Sequence, residues 1–197
     1  MNLVDRAKNI ILNPKGEWQA IAAEEPNIGQ IFTGYVLPLA LIPTIAHVLG
    51  MGLIGMGMLH SFTYGVAAGL VQFILAFIGV YLTAFVVDLL APNFGSQKNL
   101  GRAVQLVAYS YTPAWVAGLL YIIPFLSWLA WLGSLYSLYL LYLGLPATMK
   151  TPEDKVVVYL IVTIVVLIVI YGIAFSILTA IFLGIFGLGM MSAASGM

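Results

Sequence analysis

Apolar runs separated by short polar breaks set the plan of this chain. Five runs, over about 31–49, 66–89, 103–121, 125–145 and 156–178, are apolar on every side of a helix. A helix of about 20 residues crosses a hydrocarbon core of about 30 Å. Barrel strands instead alternate over about ten residues, and these runs do not alternate. The pattern predicts an all-α protein, a polytopic membrane helical bundle with five transmembrane helices in a single bundle over 26–191.

The breaks carry their own signals. Pro38 and Pro43 fall inside the first run and predict a kink there. Residues 50–61, GMGLIGMGMLHS, form a glycine-rich, uncharged connection. The second run opens with Gly65 and Gly69 four apart, a spacing that lets helices approach closely, inside one bundle or between two copies. Residues 91–101 and 146–155 are the two hydrophilic loops. In the latter, Thr151 as N-cap, Pro152 and then two acids read as a helix start. The last uncharged stretch, Val156 to Met191, would be about 54 Å long as one helix. We read one span to about Leu178 and then an apolar, glycine-rich tail over 179–197. That tail lies on the outer surface or is partly re-entrant, with a sixth crossing as the alternative.

Residues 1–25 behave differently. Leu3, Val4, Ala7, Ile10 and Ile11 recur at helical spacing, with Asp5, Arg6, Lys8 and Asn9 around the other side. Asn13-Pro14 restarts the helix, and Trp18 and Ile21 give the second piece an apolar face. The pattern predicts a cytoplasmic amphipathic helix lying in the membrane interface, with Trp18 as its anchor at headgroup level. The alternative is a short helix packed on the protein's own loops.

Composition agrees with the bilayer as solvent. Only 7% of residues are charged and 62% are hydrophobic, against about 25% charged in soluble domains. Net charge is zero, so nothing electrostatic suggests nucleic acid. With no cysteine there are no disulfides, thiol nucleophiles or cysteine-bound metals. The first thirty residues lack the basic start and apolar core of a cleavable signal. Insertion through the chain's own helices is expected.

Charge also orients the bundle. The basic residues are Arg6, Lys8, Lys15, Lys98, Arg102, Lys150 and Lys155. With five spans all of them fall on one side, which the positive-inside rule makes cytoplasmic. The N-terminus is expected inside and the C-terminus outside.

Candidate chemistry is sparse. There is no H-E-x-x-H, G-x-S-x-G or phosphate-cradling loop. His47 and His60 stand thirteen apart with no acid beside them, so no metal or cofactor is expected. No nucleophile sits beside a base, and the reading is not an enzyme. The one polar constellation at a membrane edge is Asp88 with Lys98, Arg102 and Tyr109. Asp88 is the only acid at the edge of an apolar run. It reads as an ion-pair clamp to Arg102 between two helices, or as a proton or cation site. Tyr136, Tyr139 and Tyr142 recur along the fourth run as a polar-edged groove or as aromatic packing.

Several stretches together carry a family resemblance. They are NPKGEW at 13–18 with Ile21 and Glu24, YVLPL at 35–39, DLLAP at 88–92, AYSYTPAW at 108–115, LYSLYL at 135–140 and LGLP at 143–146. The chain resembles a bacterial member of the Yip family, the Ypt/Rab-interacting-protein-like membrane proteins, over nearly its whole length. The resemblance implies an integral protein of about five spans with a cytoplasmic N-terminus and no established enzymatic activity. Eukaryotic relatives act with Rab GTPases through a substantial cytosolic N-terminal region. Only about thirty residues stand there in this chain, so GTPase binding is not carried over. Two functions follow as expectations. One is a non-enzymatic membrane scaffold or partner-binding protein, with membrane lipid and a protein partner or homo-oligomer around it. The other is a small ion or solute transporter or channel using Asp88.

Overall fold

The computed structural model describes residues 2–54 and 62–195, with the backbone alone for 53, 54, 64 and 178–195. His60 lies outside the described residues. Two compact units are present, Met1–Leu160 and Ile161–Met197. Every described element is helical. In order they are α1 (Leu3–Leu12), α2 (Pro14–Ala23), α3 (Ile28–Ile31), a π-helical turn (Phe32–Val36), α4 (Leu37–Leu49) and a second π-helical turn (Gly50–Ile54). Then come α5 (Phe62–Leu90), α6 (Leu100–Ser110), α7 (Thr112–Ala117), α8 (Ala130–Met149) and α9 (Val156–Ser195), with short 3-10 turns between them.

Four stretches are long and apolar enough to cross a membrane: Ile28–Gly52, Gly65–Phe94, Pro124–Met149 and Glu153–Ile177. On α5 the exposed side chains Val71, Ile74, Leu75, Ile78, Phe85 and Leu89 are all apolar. Water does not tolerate an apolar stripe of that length, and lipid does. The opposite face of α5 packs on α4 and α6. Gly69 makes that approach possible, since a Cβ there would lie 2.6 Å from a Val48 methyl. The Gly65/Gly69 pair is thus an internal packing surface.

The prolines act where the sequence places them, each in its own way. The π-helical turn directly before Pro38 absorbs the missing donor and the ring clash of that proline. Pro113 breaks the third predicted span. It has no N–H to give the Tyr109 carbonyl, and the Thr112 hydroxyl donates there instead at 2.7 Å. The segment therefore runs as α6, α7 and a 3-10 turn over Gly118–Ile122. It still follows the first span from end to end. α6 lies against α3, and the 3-10 turn lies against α4. From Ala103 to Ser110 every residue is buried, so α6 is the centre of the bundle and has no lipid-facing side. Pro146 by contrast does not end α8, which continues to Met149 and closes with Lys150 in the left-handed region at φ 56°.

The N-terminal segment departs most from expectation. Asn13 caps α2 as the pattern predicts, accepting from the Gly16 N–H. The two helices then fold into the bundle. Ile10 and Ile21 are fully buried, and Trp18 is 1% exposed. α1 rests on α6 and α7, and α2 rests on α8. A Cβ at Gly144 would come within 2.8 Å of the Trp18 ring, so only glycine lets α8 pass so close. Trp18 is therefore a core residue and not a headgroup anchor. The slot between helices packs the indole ring closely, while its Nε1 has no hydrogen-bond partner among the described residues. The exposed tryptophans are Trp128 and Trp131, beside exposed Phe125 at the start of the fourth span. These three suit an interfacial belt.

α9 is helical to Ser195, past the point near Leu178 where the sequence predicts a separate tail. Isolated glycines cost a helix only about 1 kcal/mol each, and the stretch holds no proline. In the second unit Ile161, Val165, Ile168, Val169, Ile173 and Phe175 stand exposed and apolar, as lipid-facing groups do.

Candidate functional site

The strongest polar constellation is one that periodicity does not reveal. Arg6 shares a face of α1 with Ile10 and points inward, only 5% exposed. Its Nη1 donates to Glu17 Oε1 at 2.7 Å, and its Nη2 donates to Glu24 Oε1. Glu17 and Ile21 lie four apart on one side of α2, and Glu24 is the residue that caps its C-terminal end. That side faces α1, so both carboxylates meet the same guanidinium. The guanidinium carbon lies 5.3 Å from the centre of the Tyr109 ring, which in turn meets Tyr35 edge-on at 4.6 Å. Burial works against the Arg6 charge. The hydrogen bond and field of Glu24, with the field of Glu17, outweigh it and hold the group above its ordinary pKa.

Arg102 serves the same region from α6. Its Nη1 donates to the carbonyl of Glu24 at 2.6 Å and to Gln105 Oε1 at 3.0 Å. Gln105 Nε2 donates to the Ile21 carbonyl at 3.3 Å. The last carbonyls of a helix have no partner within it and carry partial negative charge. Arg102 and Gln105 thus cap the C-terminus of α2 and fix the hairpin to the central helix. Tyr136 of α8 adds a hydrogen bond to the Ile11 carbonyl at 2.8 Å. Between hairpin, α6 and the start of the first span lies a cleft of about 300 Å³, lined by Arg6, Glu24, Glu25, Gln30, Tyr35, Gln105 and Tyr109 among others.

A family model, the Yip1 domain, matches residues 8–176. The chain belongs to the Yip family. Neither the search of curated proteins nor that of solved structures found a match. The Yip1 match runs from α1 into the second unit, and so takes in the α1–α2 hairpin along with the spans. The Yip family is not known as enzymatic.

The four residues singled out by sequence divide in this Yip protein. Tyr109 lines the cleft, and Arg102 holds two of its lining residues, Glu24 and Gln105. Lys98 stands exposed in the loop, and Asp88 lies elsewhere. The expected Asp88–Arg102 clamp does not form, because Arg102 is committed to the end of α2. The ion pairs among the described residues are those of Arg6. Asp88 is 7% exposed, and its Oδ1 has no hydrogen-bond partner among the described residues. It sits two residues before the end of α5. There Phe94 stacks on Tyr159 with ring centres 4.7 Å apart, and the Tyr159 hydroxyl donates to the Val87 carbonyl.

The loop that follows is docked on the other hydrophilic loop. Gln97 N–H donates to the Met149 carbonyl at 2.8 Å, and the Ser96 hydroxyl donates to Thr151 at 2.8 Å. Thr151 therefore ties the two loops together and does not cap α9. His47 packs edge-on against Tyr121 at 6.0 Å. No cluster of three or more His, Asp or Glu that could hold a metal ion occurs among the described residues. Tyr136 is the inward member of the tyrosine series, and Tyr139 and Tyr142 face outward.

Proposed function

We propose that this Yip protein is a non-enzymatic membrane scaffold whose N-terminal hairpin is a fixed platform for a protein partner. The observation that carries the reading is the hairpin's two-sided build. Its inner face is anchored by Ile10, Trp18, Ile21 and the Arg6 ion pairs. Its outer face leaves Val4 67% and Leu12 71% exposed beside exposed Asp5 and Lys8. A rigid surface with exposed apolar groups among charges binds at low ordering cost.

We place the platform on the cytoplasmic side of a bacterial inner membrane, with the C-terminus outside. Support comes from the joining of the basic segments. Arg102 holds the hairpin, and the loops bearing Lys98 and Lys150 are hydrogen-bonded to each other. All seven basic residues thus belong to one end, which the positive-inside rule makes cytoplasmic. The test is affinity capture from native membranes with the parent and a Val4→Ser, Lys8→Glu, Leu12→Ser variant. Those positions are exposed, so stability should move by less than about 1 kcal/mol. Loss of a specific co-captured protein, or of a second copy of the chain, supports the platform. Identical recovery from both proteins contradicts it.

A second reading, a small ion or solute transporter or channel, draws on Asp88, whose buried Oδ1 lacks a partner. Ionisable groups at membrane depth are functional candidates by default. Liposome flux that Asp88→Asn abolishes would favour this reading over the scaffold. Absence of flux across a panel of ions and solutes would remove it.

A further inference from the structure

We propose that the cleft between the hairpin and the first span is a binding site for a primary ammonium group, carried on a membrane-lipid headgroup or on a free amine. This stands independently of whether the outer face of the hairpin holds a partner. Three features of the cleft point to that ligand.

The first is charge. Arg6 is engaged by Glu17 and Glu24, and Arg102 is engaged by a helix end and Gln105. Glu25 lines the cleft, stands exposed and has no ion-pair partner among the described residues. Of the charged residues that line the cleft, Glu24 and Glu25 outnumber Arg6 by one, so the cleft favours a cation.

The second is an unused polar group. Tyr109 is 8% exposed and lines the cleft, and its hydroxyl has no hydrogen-bond partner among the described residues. A hydroxyl at the wall of a cavity with no protein partner takes its partner from within the cavity.

The third is size and place. About 300 Å³ is too roomy for a bare ion and is the low end of small-ligand sites. The lining residues Gln30, Ile31 and Gly34 belong to the start of the first membrane-spanning stretch, so the opening lies where headgroups lie. A primary ammonium brings three N–H donors. The free oxygen of Glu24, the Glu25 carboxylate and the Tyr109 hydroxyl are matching acceptors. A trimethylated ammonium brings no donor and leaves them unanswered.

The full chain in lipid nanodiscs tests the assignment. Native mass spectrometry would read which lipids the protein retains from equimolar phosphatidylethanolamine, phosphatidylcholine and phosphatidylglycerol. The parent should prefer the ethanolamine lipid over the choline lipid by roughly tenfold, the scale of one lost charge-assisted hydrogen bond. Glu25→Gln and Tyr109→Phe should each reduce that preference severalfold. Neither residue makes a hydrogen bond or ion pair that a fold would lose, and unchanged melting would show this for each. A second arm adds free ethanolamine to protein in phosphatidylcholine discs. A concentration-dependent rise in melting temperature with no lipid preference identifies a soluble amine as the source. A lipid preference without that rise identifies the headgroup. Equal retention of all three lipids together with no response to ethanolamine overturns the proposal. So does a preference that both variants keep in full.

Discussion

Replacing Arg6 by leucine should cost more than replacing any other charged residue of the hairpin. The Arg6 side chain is 6% exposed and that of Glu17 is 7%. Leucine at position 6 leaves the Glu17 carboxylate buried without its cation, and breaking a buried pair in this way costs about 3–5 kcal/mol. Loss of the guanidinium over Tyr109 adds about 0.5–2 kcal/mol. Glu24 is 45% exposed, so water takes over its carboxylate, and Glu24→Gln should cost about 1 kcal/mol or less.

The double variant Arg6→Leu, Glu17→Leu removes both charges together. Apolar replacement of a whole buried pair is often neutral, so the double variant should recover most of the single variant's loss. The assay is unfolding by sodium dodecyl sulfate titration in mixed micelles, for both single variants and the double. A coupling between positions 6 and 17 of about 2 kcal/mol is expected. A cost for Arg6→Leu below about 0.5 kcal/mol, the scale of a surface change, would refute the reasoning.

Three further outcomes follow from the same contacts. Trp18→Ala should lower stability in that titration by about 3–5 kcal/mol, because its slot beside Gly144 cannot close; a small cost with weakened membrane association would mean an interfacial anchor. Asp88→Asn should shift stability by about 1 kcal/mol at most, since no ion pair is lost, and a loss of about 3–5 kcal/mol would reveal a clamp. Tyr136→Phe should cost about 1–2 kcal/mol by removing the hydrogen bond to the Ile11 carbonyl, and faster amide exchange in α1 would accompany it.

Four long apolar stretches are legible because lipid demands long apolar helices, whereas the third predicted span is broken at Pro113; Pro113, Asn13 and the Gly65/Gly69 pair each act through local chemistry that a sequence displays. The cleft was not legible, for physical reasons particular to its residues. The apolar stripe of α1 reads as Leu3, Val4, Ala7, Ile10 and Ile11. The face that turns inward instead carries Leu3, Arg6 and Ile10, and Val4 is exposed. An inward arginine is tolerated only because Glu17 and Glu24, distant in sequence, meet it across the hairpin. Helical periodicity takes no account of partners distant in sequence, so an arginine on this stripe looks outward-facing. Asp88 and Arg102 look like a pair in sequence because they flank one loop. The carbonyls at the end of α2 are better placed acceptors, and nothing near Arg102 in sequence announces them. The signal that was available lies at α2, where Glu17 shares the face of Ile21 and Glu24 caps the C-terminal end.

The hairpin is packed into the bundle, with Trp18 between α2 and α8. A photo-reactive phenylalanine in place of Trp18, activated in native membranes and mapped by mass spectrometry, tests this directly. The predicted product is a cross-link within the chain to the stretch of α8 around Gly144. Adducts formed with lipid and none with α8 would contradict it.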